Sequence, residues 1–262
     1  MRTLRVVAFG LAALVGCRSA PAPEPPPKTT AQAPDRVAPA PAPAPAGGET
    51  FDFVELVTGG ASRGDRLPLV IALHGLGDRP AAFARAFDGF PARARFVLPH
   101  DDATYLDGFA WFPPGDRESP DAARRLSDMS GRLVRFAEAL AKERPTAGRP
   151  IFTGFSQGGA LSLVTGVLHG REIGAAFPVG SFMAASLVPS AAPPGNAPIE
   201  GFHGLADTLV PFGTTSERYA ALRAAGFRAT IHSYPGVPHQ ISGEERADWF
   251  SALARACGEA SK

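Results

Sequence analysis

The stretch PLVIALHG (residues 68–75) is a nearly continuous apolar run closed by a glycine. A strand that reads this way is buried on both faces, so it belongs inside a sheet with cover on each side. The rest of the chain from residue 49 supplies that cover. FDFVELV (51–57) alternates as a half-buried edge strand does, and RFVLPH, RPIFTGF, GAAFPVGSF, APIEGFHG and ATIHSYPG read as further strands. Between them lie segments with helical spacing: AAFARAFDGF, SQGGALSLVTGVLHG, TTSERYAALRAAG and EERADWFSALARAC. The longest is 121–142, with Leu126, Met129, Leu133, Phe136 and Leu140 on one face. Strands alternating with helices predict an α/β fold: a mostly parallel central sheet with helices on both faces.

Residues 1–48 carry none of this patterning. MRTLR supplies two arginines, and VVAFGLAALV (6–15) supplies a short apolar stretch. As a helix it would rise only about 15 Å, half a bilayer core, which fits a signal peptide and not a membrane span. The stretch ends in LVGC, Leu14 to Cys17, which resembles the lipobox of bacterial lipoproteins. The resemblance implies cleavage before Cys17, a lipid anchor on that cysteine and export to a membrane surface. Arg18 after it favours the outer membrane where there are two membranes. Residues 18–48 hold ten of the chain's 27 prolines. Such a segment cannot bury enough apolar surface to fold; as polyproline II it could span up to ~100 Å. Three parts are therefore expected: a signal peptide at 1–16, a lipidated Cys17 with a Pro/Ala-rich tether at 17–48, and a catalytic domain at 49–262. Cys257 is the only other cysteine and reads as a small apolar filler late in the last helix.

In open parallel sheets, reactive groups gather beyond the carboxyl ends of the strands. Four strand ends here carry such groups. Ser156 follows IFTGF and opens a helix, in the pattern Gly-x-Ser-x-Gly. That pattern is short enough to arise by chance in a chain with 29 glycines. Its place between strand and helix is what suits it to a nucleophile turn. Asp207 lies just past the strand ending in HG (203–204), and His239 lies in the loop YPGVPHQIS before the last helix. A carboxylate that fixes a histidine's tautomer, and a histidine that deprotonates a serine, complete a Ser-Asp-His set in the chain order of α/β-hydrolases. The fourth end is LHGLGD (73–78), a glycine-rich turn able to aim a main-chain N–H at a substrate oxygen. His74 and His203 read as structural residues of these turns.

LHGLGD, GFSQGGA, FHGLADTLVP and the final histidine resemble the phospholipase/carboxylesterase family of α/β-hydrolases, which includes acyl-protein thioesterases. The resemblance spans about 65–255 and implies the α/β-hydrolase fold. Carried over by motif, it implies Ser156 as nucleophile, Asp207 as acid, His239 as base, and the N–H groups of Leu76 and Gln157 as the oxyanion hole. Trp111, Phe112 and Val210 are candidate walls of the substrate pocket, with plain core the other reading for Trp111 and Phe112. The chain departs from the family pattern at Pro238, at PVGSF (178–182) and at the two prolines after Trp111–Phe112, where an acyl or alcohol pocket would lie.

The expected activity is hydrolysis of carboxylic esters or thioesters through an acyl-enzyme, with an acyl-ester substrate and no cofactor. A peptidase or a polysaccharide-ester esterase on the same fold is the alternative, and a non-catalytic, surface-tethered binding module is another. Neutral balance, 26 Lys and Arg against 25 Asp and Glu, offers no electrostatic basis for nucleic-acid binding. The six histidines lack ligand spacing, so no metal is expected. Position 159 is glycine, which excludes the Ser-x-x-Lys chemistry of penicillin-binding proteins.

Overall fold

In the computed structural model, which describes residues 49–262, the apolar run forms strand β2 (Leu67–Leu73), every residue of it buried. Successive side chains of a strand point to opposite faces. Leu69, Ile71 and Leu73 enter one apolar cluster, and Val70 and Ala72 enter another. The doubly buried strand thus sits between two cores. The expected signal peptide, lipidated Cys17 and tether lie outside the described residues.

Seven strands form the main sheet: β1 (Asp52–Val57), β2, β3 (Arg95–His100), β6 (Thr146–Phe155), β7 (Ala175–Val179), β8 (Ile199–Gly204) and β9 (Ala229–Tyr234). Two short strands, β4 (Thr104–Tyr105) and β5 (Gly108–Phe109), pair separately as a ribbon. The order across the sheet is β1-β3-β2-β6-β7-β8-β9, and only the β1–β3 pairing is antiparallel. The expected half-buried strand at 51–57 is indeed that antiparallel edge. Its inward Glu55 pairs with the fully buried Arg95 of β3.

Helices α2 (Pro120–Glu143), α3 (Gln157–Leu168) and α4 (Phe212–Ala224) cover one face. Helices α1 (Pro80–Phe83) and α5 (Gly243–Ala260) cover the other, with Phe87, Trp249 and Leu253 in the second core. Local chemistry sets the ends. Ser119 caps α2 by accepting from the N–H of Ala122, and Pro120 occupies the first turn, where its missing N–H costs nothing. The five apolar residues read on one face of α2 are all buried. Helix α3 is buried over Gln157–Val167, as befits a helix that is apolar all round. The helix expected at 81–90 is shorter: α1 gives way to a 3₁₀ turn (Ala84–Phe87). Gly89 (φ +75°) then turns the chain toward β3. Cys257 is buried in the second core, where burial pushes its thiol up to about 12.

Candidate active site

After β2 the chain runs to β3 on one side and then to β6 on the other. This reversal is the switch point at which open α/β sheets leave a crevice. The carboxyl ends of β2 and β6 carry His74–Leu76 and Ser156 respectively. Ser156 has φ +56° and ψ −114°, a strained conformation for a non-glycine residue. The strain is held in place: its N–H donates to the Val179 carbonyl at 3.0 Å, and its carbonyl accepts from Ala160 at 2.8 Å. The turn is this sharp because Gly158 lies against β2. A Cβ there would stand 2.0 Å from the Leu73 carbonyl oxygen. The result lifts the Ser156 hydroxyl off the sheet at the start of α3.

The loops after β8 and β9 are tied together. The N–H of Leu205 donates to Tyr234 and that of Ala206 to Val237, at 2.9 and 3.0 Å. The close approach requires Gly204, whose Cβ would meet the Val237 oxygen at 2.1 Å. These bonds bring His239 beside Asp207. His239 Nδ1 donates to Asp207 Oδ2 at 2.6 Å, and its Nε2 lies 2.9 Å from Ser156 Oγ. The His239 ring rests on Phe155, with centroids 4.8 Å apart. Asp207 is buried, and its Oδ1 accepts the N–H groups of Leu209 (2.9 Å) and Val210 (2.7 Å). Three residues from three strand ends thus form one hydrogen-bonded chain, able to carry the Ser156 proton to His239.

A cavity of about 220 Å³ opens at Ser156, lined by Leu76, Phe112, Gln157 and Phe182 among others. The main-chain N–H groups of Leu76 and Gln157 make no hydrogen bond to the described residues. Two free donors flanking a nucleophile suit a developing oxyanion. The Gln157 side chain has a separate task that the sequence did not reveal. Its Oε1 accepts the N–H of Trp111 (3.1 Å), and its Nε2 donates to the Phe112 carbonyl (2.9 Å). A contact spanning 46 residues has no local signal in the sequence.

Of the candidate pocket walls, Phe112 lines the Ser156 cavity. Trp111 does not. It is 3% exposed, stacks on His74 with centroids 5.0 Å apart, and donates its Nε1–H to the His74 carbonyl at 3.0 Å. Its indole braces the turn that carries Leu76, so its apolar body serves the core. Val210 is also buried. Beyond its N–H bond to Asp207, it lines a neighbouring cavity of about 410 Å³.

His74 and His203 are structural, as read from the sequence. Burial, above all, lowers the pKa of both. His203 Nε2 faces the Val210 carbonyl at 2.8 Å and lies 3.5 Å from Asp207 Oδ2, which steadies the acidic loop from behind. Glu245 is a further neighbour of the acidic loop, close enough to feel the Asp207 charge. It forms a capping box with Ser242 at the start of α5, and burial, with help from the Asp207 charge, raises its pKa to about 7. Among the described residues no cluster of three or more His, Cys, Asp or Glu could hold a metal ion.

The family model for phospholipase/carboxylesterase matches residues 61–254. An acyl-protein thioesterase 1 of Neurospora crassa is 29% identical over 199 residues, covering 67% of this chain and 81% of the relative. A probable carboxylesterase of Oryza sativa is 30% identical over 200 residues, covering 67% and 73%. The crystal structure of esterase PE8 superposes with a TM-score of 0.64 at 24% identity, over 76% of this chain and 99% of that one, which shows the shared fold. The chain belongs to the phospholipase/carboxylesterase family of α/β-hydrolases.

Proposed function

We propose that the protein hydrolyses carboxylic esters or thioesters through an acyl-enzyme formed on Ser156. His239 Nε2 takes the Ser156 proton as Oγ attacks the acyl carbonyl. Negative charge then develops on the carbonyl oxygen, beside the N–H groups of Leu76 and Gln157. Asp207 holds His239 in the tautomer with a proton on Nδ1 and stabilises the imidazolium. His239 returns the proton to the departing alcohol or thiol. A water molecule, deprotonated by the same histidine, then releases the acid and restores Ser156.

The observation that carries this reading is the Ser156–His239–Asp207 chain, with steps of 2.9 and 2.6 Å, opening on a cavity with two unengaged N–H donors. A panel of p-nitrophenyl esters and acyl thioesters of increasing chain length tests it. Turnover by the wild type is expected, and a family of rates no faster than buffer would contradict the reading.

We also propose that the domain is held at a membrane through a lipid on Cys17. The LVGC sequence after a short apolar stretch supports this. Among the described residues no helix is long and apolar enough to cross a membrane. Cys17→Ser should move the protein from the membrane fraction to the soluble fraction. Unchanged membrane association would contradict it.

A further inference from the structure

Arg117 stands in the segment between β5 and α2, where it lines both the Ser156 cavity and the larger cavity beside it. Its guanidinium carbon lies 4.5 Å above the centre of the Phe182 ring, and its Nη1 donates to the Leu209 carbonyl. The cation is therefore fixed by an aromatic face below and a carbonyl beside it. The other arginines nearby are committed to carboxylates: Arg125 to Asp121 at 2.6 Å, and Arg218 to Glu118 at 3.1 Å. Arg117 makes no salt bridge to a carboxylate among the described residues; the Asp207 charge acts on it only at longer range, and Asp207 is itself engaged by His239. Asp116 also lines the cavity, but its Oδ1 is occupied by the N–H of Glu118 at 2.9 Å.

A guanidinium offers five N–H donors in a planar fork, and one contact uses only one of them. The rest can meet a carboxylate or phosphate with two parallel bonds. Holding the fork in place beforehand lowers the ordering cost of binding. The cavity offers apolar wall at Phe112, Pro113, Pro114 and Phe182, and its other charged pair, Asp121 with Arg125, is mutually satisfied. Such a site matches a substrate with an apolar body and one oxyanion.

We propose that Arg117 is a specificity-determining residue that selects esters carrying a terminal oxyanion, a carboxylate or a phosphate, on the portion seated between Ser156 and Phe182. The proposal rests on the esterase reading for its catalytic consequence but not for binding, so the two can be tested apart. In the full-length Ser156→Ala protein, calorimetry would compare monomethyl adipate, neutral dimethyl adipate and methyl 6-phosphonooxyhexanoate. The anionic probes are expected to bind roughly 10- to 100-fold tighter than the neutral one, and whichever anion binds more tightly identifies the source. Adding Arg117→Gln should erase that difference, and Arg117→Lys should restore part of it. In the catalytically intact protein, Arg117→Gln should lower the ratio of kcat/KM for the acid ester over the diester by the same factor. Equal affinity for charged and neutral probes, or an equal fall on both substrates, would overturn the proposal and leave Arg117 a strap to Leu209. Charge-selective binding without hydrolysis of any ester would instead count against the esterase reading alone.

Discussion

Asp207 and His239 share a 2.6 Å hydrogen bond across 32 residues of chain, and the carboxylate's other oxygen is fixed by two main-chain N–H groups. Both oxygens are thereby committed, so the acid has one orientation and presents an acceptor, never a donor, to Nδ1. Asp207→Asn keeps the two main-chain bonds and turns an amide N–H toward Nδ1. The imidazole must then carry its proton on Nε2, where it cannot accept one from Ser156. The expected result is a fall in kcat on the order of 10⁴, with KM and the unfolding midpoint little changed. Steady-state kinetics with a p-nitrophenyl ester check this, and a loss of less than tenfold would contradict the assigned role.

The side chain of Gln157 ties Trp111 and Phe112 to the start of α3. Gln157→Leu preserves the main-chain N–H but leaves a buried donor and a buried acceptor without partners. Each such group costs roughly 1–3 kcal/mol. An unfolding midpoint lower by several degrees is expected, together with a fall in kcat/KM approaching 100-fold as the wall beside Ser156 shifts. Thermal melts and kinetics on the same preparation separate the two effects.

Glu245 gives the fold a pH dependence of known sign. Its carboxyl titrates near 7 in the folded state, against an ordinary value of 4.5. Between those values the folded chain retains a proton that the unfolded chain has lost. Stability therefore falls as pH rises from about 4.5 through 7. The contribution amounts to roughly 3 kcal/mol across that window. Glu245→Gln mimics the protonated acid and can still accept from the Ser242 N–H, as capping-box glutamines do. Its urea-unfolding free energy should decline less than that of the wild type between pH 5 and pH 8. An identical decline in both proteins would assign the dependence to other groups.

The sheet and the meeting of Ser156, His239 and Asp207 were legible for the same reason. Apolar runs such as 68–75 identify buried strands, and in a parallel sheet the residues just past such runs converge, which is why Ser156, Asp207 and His239 could be grouped from their chain order and their places at strand ends. The β4–β5 ribbon was not legible, since two-residue strands carry no period, and its turn places Leu106 at φ +50°, where glycine or asparagine would be expected. Trp111 shows a second limit. An apolar ring suits a core and a pocket wall equally, and its side was settled by a hydrogen bond to the His74 carbonyl. Arg117 shows a third. It sits in a turn rich in charge, and its lack of a carboxylate partner emerges only once the neighbouring arginines have taken theirs.

The most direct test of the account is to trap the covalent intermediate. The protein would be quenched in acid during turnover of p-nitrophenyl butyrate, digested, and analysed by mass spectrometry, in parallel with Ser156→Ala. The account predicts a single butyryl group on the peptide containing Ser156, absent from the variant, whose kcat should fall on the order of 10⁶. A butyryl group on another residue, or turnover by Ser156→Ala at the wild-type rate, would contradict it.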